Sequence, residues 1–420
     1  METSTQTDIK RKEHDPPHDL NALVAPLVEQ IPATLIGLER QEVIGRIIGE
    51  QSDELRMQLR EIIEFFLLEM DHNNASDIDL GGNGCADKIW YRVYGYKKPW
   101  LHSPKYKTTF TDFLLHSILM PAQRTFLLKH KNLDFSYVIE SKGKENKRFR
   151  ADMYFDMENL ALNMRKIDTE IRPFKGLGLH PEVAKALSLK YLKYGMTLVT
   201  GITGSGKSST LDTIIDANNR SVDSHIVIIS SPVELVHTPI RSIVRHREVG
   251  RDVPSFRDGA VQAMRQDPDI IMIGELRDDE TIMTALEVTD SGHKTFSTLH
   301  TASATESIDR ILGEVPVDEQ DRVRNRLADV LTCVISQKLV PTIKGTRVLA
   351  KEVLLATASV KAAIRNNNTA EIYQMLSEGS NYGMHTLEQD LKRLCDRHII
   401  SEEEALNYAN NKKRLKELLE

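Results

Sequence analysis

Eight consecutive residues, Gly201-Ile202-Thr203-Gly204-Ser205-Gly206-Lys207-Ser208, carry the strongest chemical signal in the chain. They satisfy G-x-x-x-x-G-K-[ST], a pattern that composition alone would produce in roughly one chain in a hundred of this length. Glycines let backbone amides turn inward around a phosphate with no Cβ in the way. A helix starting where such a loop ends adds unpaired N–H groups and about half a positive charge. Lys207 is then suited to neutralising β- and γ-phosphates, and the Ser208 hydroxyl to ligating Mg2+. The candidate nucleotide-binding set is Gly201, Thr203, Gly204, Ser205, Gly206, Lys207, Ser208 and Ser209, and the expected ligand is ATP or another nucleoside triphosphate.

A second signal lies downstream, where Asp269-Ile270-Ile271-Met272-Ile273-Gly274-Glu275 sets four apolar residues before a carboxylate. At the end of a parallel strand beside a phosphate loop, Glu275 could hold a metal-bound water or polarise an attacking one. His293 and His300 bracket the stretch Lys294 to Leu299. Zinc is a poor reading for this pair, because no third ligand sits at metal spacing.

Elements that could position these groups are legible around them. Short apolar runs at 196–200, 226–230, 270–273 and 295–298 alternate with helical patterns, which signals a largely parallel sheet wrapped by helices. Upstream, 42–70 reads as two amphipathic helices joined near Gly49. The region 77–168 reads as a mixed α+β module, with strands expected at 89–94, 147–153 and 160–167. A Pro- and Gly-punctuated stretch, 171–180, reads as a linker. Residues 1–20 read as a disordered tail. Near the end, Thr386-x-x-Gln389 and Ser401-x-x-Glu404 are two capping boxes opening apolar-periodic runs. The expected domains are therefore 21–170, 181–350 and a helical region over 351–420.

Bulk properties narrow the classes. Lys and Arg number 55 against 61 Asp and Glu, a net charge of −6, which argues against a surface committed to nucleic acid. Three scattered cysteines, Cys85, Cys333 and Cys395, suggest neither a zinc cage nor a disulfide framework. No apolar run approaches the roughly 20 residues of a membrane-spanning helix, and no signal peptide opens the chain. The expectation is a soluble, intracellular protein of two or three domains.

The ordered motifs resemble the secretion-ATPase superfamily of type II and type IV systems, most of all its twitching-motility (PilT-like) branch. Five stretches carry the match. After the phosphate loop comes Ser231-Pro232-Val233-Glu234-Leu235-Val236-His237, similar to the family's Asp box. Gln266 to Asp278 resembles its atypical Walker B, with Gly274-Glu275 where other ATPases have Asp-Glu. Gly292 to Thr301 is similar to its His box, and Gly383 to Glu388 with Ile400 to Ala405 resembles the C-terminal helices of the retraction branch. Upstream, Ala75 to Leu80 and Arg148-Phe149-Arg150 look like its PAS-like N-terminal domain.

The resemblance implies an α/β fold, a RecA-like P-loop ATPase core with a smaller α+β PAS-like N-terminal domain and C-terminal helices. It implies a ring-shaped homo-hexamer in the cytoplasm, peripheral at the inner membrane, hydrolysing ATP with Mg2+ to work on an inner-membrane pilus platform protein. No nucleic-acid partner is expected. Arg148, Arg150 and Arg165 would reach the phosphates, a task suited to a planar, fixed charge; a solvated strand face stays open as the plainer reading. Lys207, Glu234, Glu275 and His300 are the implied catalytic set, Ser208 and Glu275 the metal ligands, and His293 a further nucleotide contact.

One departure stands out. The retraction pattern has Glu-Asp before the proline of the Asp box, the first carboxylate activating water, whereas this chain has Ser230 and Ser231. A serine hydroxyl is no base near pH 7, and losing a general base costs about 10²–10⁴-fold in rate. Either Glu234 or Glu275 takes the role, or the enzyme is slow, or it works beside a more active pilus paralogue. The CxxC pair of the assembly and export branches is missing, which favours retraction. A DotB-like ATPase exporting protein or DNA is the alternative.

Overall fold

The structure, a computed structural model, describes residues 15–93, 96–140, 146–167 and 170–420. The chain divides between 169 and 170 into two compact units. Of the expected tail, residues 1–14 lie outside the described residues.

In the first unit, strands β1 (Ala75–Gly81), β2 (Trp90–Val93), β3 (Tyr96–Pro99), β4 (Asn132–Ile139), β5 (Lys147–Asp156) and β6 (Asn159–Lys166) form one antiparallel sheet in the order β3-β2-β1-β6-β5-β4. Long helix Asp53–His72 buries Leu59, Ile62, Ile63, Phe66, Leu67 and Met70, the spacing of one helical face. Its start is set by Ser52, whose hydroxyl accepts from Leu55 N at 3.3 Å. The preceding helix, Gly37–Glu50, runs through Gly49, so the break falls at the cap and not at the glycine.

Residues 20–50 are part of this unit's core. Leu20, Val24, Ile44 and Ile48 are fully buried in one cluster with Phe66, Phe113 and Phe149. A buried carboxylate pins them: Asp112 accepts from Leu160 N at 2.8 Å, Gln41 Nε2 at 2.7 Å and Arg40 at 2.5 Å. With three donors the buried acid is satisfied, as it must be away from water.

The second unit contains β7 (Gly195–Thr200), β8 (His225–Ser230), β9 (Ile243–Glu248), β10 (Ile270–Ile273), β11 (Lys294–Leu299), β12 (Leu331–Pro341) and β13 (Arg347–Leu355), ordered β13-β12-β7-β11-β10-β8-β9. Every neighbouring pair is parallel except β12 with β13. Two apolar clusters cover its two faces. Leu198, Ile229, Ile271 and Ile273 lie on one side; Val199, Ile228 and Met272 lie on the other with Leu211, Ile214 and Ile215 of helix Lys207–Ser221. Strands buried on both faces favour near-continuous apolar runs, which made β8 and β10 readable, while β7 and β11 carry Thr, Ser and Lys among their apolar residues.

Strands β9, β12 and β13 were not expected. β9 is an edge strand reading Ile-Val-Arg-His-Arg-Glu, and β12 mixes Thr332, Ser336, Gln337 and Lys338 among apolar residues. The sheet thus continues to Leu355, past the position where a purely helical region was expected. Beyond it, Thr386 forms a complete capping box: its hydroxyl accepts from Gln389 N at 3.3 Å, and Gln389 Oε1 accepts from Thr386 N at 2.9 Å. Ser401 caps the next helix by accepting from Glu404 N at 3.2 Å.

Candidate functional site

Parallel strands all end on the same edge of a sheet, so whatever follows them is gathered there. The loop 201–206 follows β7, Ser231 to Glu234 follow β8, Glu275 follows β10 and His300 follows β11. The edge is locked together: Thr298 Oγ1 donates to Gly274 O at 2.7 Å, Ser297 Oγ to Ile273 O at 2.6 Å, and Leu276 N to Thr298 O at 3.1 Å.

The loop itself has the geometry of an anion cradle. Gly201, Gly204 and Gly206 have φ of +147°, +79° and +89°. A Cβ on Gly201 would stand 2.4 Å from Gln337 O and 2.5 Å from Ser205 Oγ, so only glycine fits there. Helix Lys207–Ser221 starts from Gly206 without a side-chain cap, whereas Ser255, Asp278, Ser303 and Thr357 cap later helices with their own oxygens. Its first N–H groups are left for an external anion.

Ser205 is buried, and its Oγ has no hydrogen-bond partner among the described residues. A buried hydroxyl of this kind fits a site completed by ligand oxygens. Lys207 Nζ donates to Gly201 O at 2.7 Å and Ile202 O at 3.2 Å, which holds the ammonium over the loop. Burial lowers its pKa below the ordinary lysine value, and the Glu275 carboxylate opposes that. Thr203, Ser208 and Ser209 lie exposed on the loop and the first helical turn.

Glu275 is ion-paired with Arg277, and His300 Nε2 stands 3.6 Å from its other oxygen. The catalytic pair read from sequence is therefore brought together. Glu234 sits half-buried after β8, next to Val233, whose N–H donates to Glu248 Oε2 at 3.1 Å. Ser230 ends β8, paired with Glu248 of β9, and alternation places it on the sheet face covered by the helix that follows the phosphate loop. Oxygen donors at Ser208 and Glu275 suit Mg2+, which takes one or two protein oxygens and substrate phosphates for the rest. Among the described residues no group of three or more His, Cys, Asp or Glu forms a metal cluster on its own.

His293 is not brought to this edge. It precedes β11, where its carbonyl accepts from Gly195 N and its Nδ1 lies 3.0 Å from Ser291 Oγ. Six strand residues at about 3.3 Å each put it some 20 Å from the loop within the chain. His293 therefore does not share the edge that carries the phosphate loop, Glu275 and His300.

Arg148, Arg150 and Arg165 belong to the first unit. Arg150 and Arg165 are direct cross-strand partners on β5 and β6, and Arg148 shares their face two residues away. The opposite face carries Phe149, Ala151 and Met164 in the core. Like charges placed opposite one another destabilise a sheet; Asp77 relieves part of this, its Oδ1 accepting from Arg165 Nε at 2.8 Å, and Asp134 stands 3.9 Å from Arg150. Such a cluster is suited to an anion.

Gln337 was missed by sequence reading. Its Nε2 donates to Ser205 O at 2.9 Å, so β12 buttresses the phosphate loop from a strand 132 residues later. An amide inside the apolar run Leu331–Pro341 was the available signal.

The model of the type II/IV secretion system protein family matches residues 57–416. The chain is 37% identical over 292 residues to the type IV pilus retractation ATPase PilT of Pseudomonas aeruginosa, covering 70% of this chain and 83% of that one. Among solved structures, the pilus retraction motor PilT with bound ADP superposes with a TM-score of 0.75 at 36% identity, over 84% of this chain and 98% of the other. The Legionella pneumophila ATPase DotB gives 0.66 at 27% identity, over 82% and 94%. With its phosphate loop, the Glu275–His300 pair and this match over most of its length, the chain belongs to the type II/IV secretion system protein family.

Proposed function

We propose that this protein is an ATP-hydrolysing motor of a type IV pilus that drives pilus retraction. The observation that carries the reading is the gathering of an uncapped glycine cradle, Lys207 and the Glu275–His300 pair on one sheet edge, in a chain that resembles a retraction motor over most of its length. The loop amides and Lys207 hold the triphosphate. Ser208 and Glu275 are the residues that would hold Mg2+, which supplies charge neutralisation at the transferring phosphoryl group. Glu275, set between Arg277 and His300, orients and polarises the attacking water.

The motor acts as a homo-hexameric ring on the cytoplasmic face of the inner membrane, against a platform protein. Among the described residues no helix is long and apolar enough to cross a membrane. Deleting the gene in the native host is expected to leave surface pili in place and abolish surface motility, scored by electron microscopy and colony spreading. Unchanged piliation and motility, with a defect in protein or DNA export instead, would move the reading to the DotB-like alternative.

Ser230 favours a second reading, a slowly hydrolysing partner of a more active pilus ATPase. Restoring a carboxylate tests it. Ser230→Glu is expected to raise steady-state phosphate release by about tenfold or more, since a general base contributes about 10²–10⁴-fold and a transplanted one recovers part of that. An unchanged rate would show that another residue already fills the role.

A further inference from the structure

A carboxylate of β13 is buried where two helices begin. Glu352 is 2% exposed. Its Oε1 accepts from Ala304 N, at the start of helix Ala304–Gly313, at 2.8 Å, and the backbone N–H of Leu387, at the start of helix Leu387–Asp396, favours its charged form. Ala304 lies four residues after His300 in the chain. A second tie reaches the same segment: Asn410 Nδ2 donates to Ala302 O at 2.9 Å, while Asn410 Oδ1 accepts from Lys338 Nζ at 2.6 Å. The backbone just after His300 is thus held at two points by residues of β13 and the C-terminal helices.

We infer that Glu352 and Asn410 are positioning residues, a clasp by which the C-terminal helices set the segment that carries His300 and hence its approach to Glu275. The inference rests on the proposed ATPase reading. Backbone N–H groups at helix starts bind an ionised carboxylate well and a neutral acid poorly. Loss of the charge therefore loosens the helix start that follows His300, while the phosphate loop after β7 keeps its own contacts.

The charge state is within physiological reach. Burial raises the pKa of Glu352 to about 7, helped by Glu388, while the N–H groups of Ala304 and Leu387 and the Lys338 ammonium oppose the rise. The groups facing it are Glu388 of helix Leu387–Asp396, Lys338 of β12 and Tyr373 of helix Ala370–Glu378; Glu306 of helix Ala304–Gly313 and Arg414 of helix Lys412–Leu419 act on Lys338 and Tyr373. A raised carboxyl pKa means the clasp is complete above about pH 7 and weakens as pH falls through that value.

Full-length Glu352→Gln and Asn410→Ala, singly and together, are the test, with ATP turnover measured from pH 6 to 8.5 and unfolding followed by calorimetry. Glu352→Gln is expected to lower kcat about tenfold with KM for ATP within about twofold, and to abolish the rise of kcat through neutrality expected of the unaltered protein. Asn410→Ala, an exposed change that leaves folding intact, is expected to lower kcat about threefold at constant KM, with less than additive effect in the pair. Should Glu352→Gln fail to fold, Asn410→Ala alone decides. Unchanged kcat in the variants, or an equal loss at every pH with a lowered Tm, overturns the inference. An unaltered protein that hydrolyses no ATP sinks the proposed function itself.

Discussion

Lys207→Ala is expected to bring ATP turnover down by about 10²–10³-fold or below detection, the loss that follows removal of one preorganised donor from developing phosphoryl charge. The ammonium is held over the loop by Gly201 O and Ile202 O, and burial has already stripped part of its hydration. It therefore meets phosphate oxygens with little further reorganisation, and alanine removes both the charge and the tether. Nucleotide affinity should fall as well, because the same charge neutralises ground-state phosphates. Phosphate release and calorimetric titration with Mg-ATP read the two effects separately. An unaltered turnover rate in this variant would remove the motor reading altogether.

Glu275→Gln is the complementary experiment. The substitution keeps the shape of the side chain but takes its charge from between Arg277 and His300. Turnover should fall by about 10²–10⁴-fold, the usual cost of losing a group that activates water. Binding of Mg-ATP should survive within a few-fold, since the glycine cradle and Lys207 are untouched. If affinity collapses with the rate, the carboxylate serves mainly to hold the nucleotide and its metal, and water activation must be sought at Glu234 or elsewhere on the same edge. Run in the Ser230→Glu background, the same change also shows whether a restored base can substitute for Glu275.

The two halves of the chain yield to sequence reading to different degrees. Strands β7, β8, β10 and β11 are buried on both faces, and β8 and β10 in particular read as near-continuous apolar runs. In the antiparallel sheet of the first unit β2, β5 and β6 were legible from their aromatic, β-branched or alternating residues, while the short exposed strand β3 left little pattern to find. Helix breaks were legible to within a few residues, yet Ser52 and not Gly49 sets the first one, because a cap that satisfies orphan N–H groups ends a helix more firmly than a glycine tolerated inside it.

What the linear order of residues determined alone is the chemistry that depends on near neighbours. A glycine loop, a lysine and a hydroxyl within eight positions specify a phosphate cradle, since the backbone turn and the helix start are local. Only the tertiary structure decided which distant groups share that edge. It brought Glu275 to His300 and Gln337 under Ser205, set Glu352 beneath the helix start that follows His300, and placed His293 at the far end of its strand. Those outcomes depend on strand order and strand length, quantities fixed by packing between segments from 25 to 132 residues apart, and no local pattern encodes them.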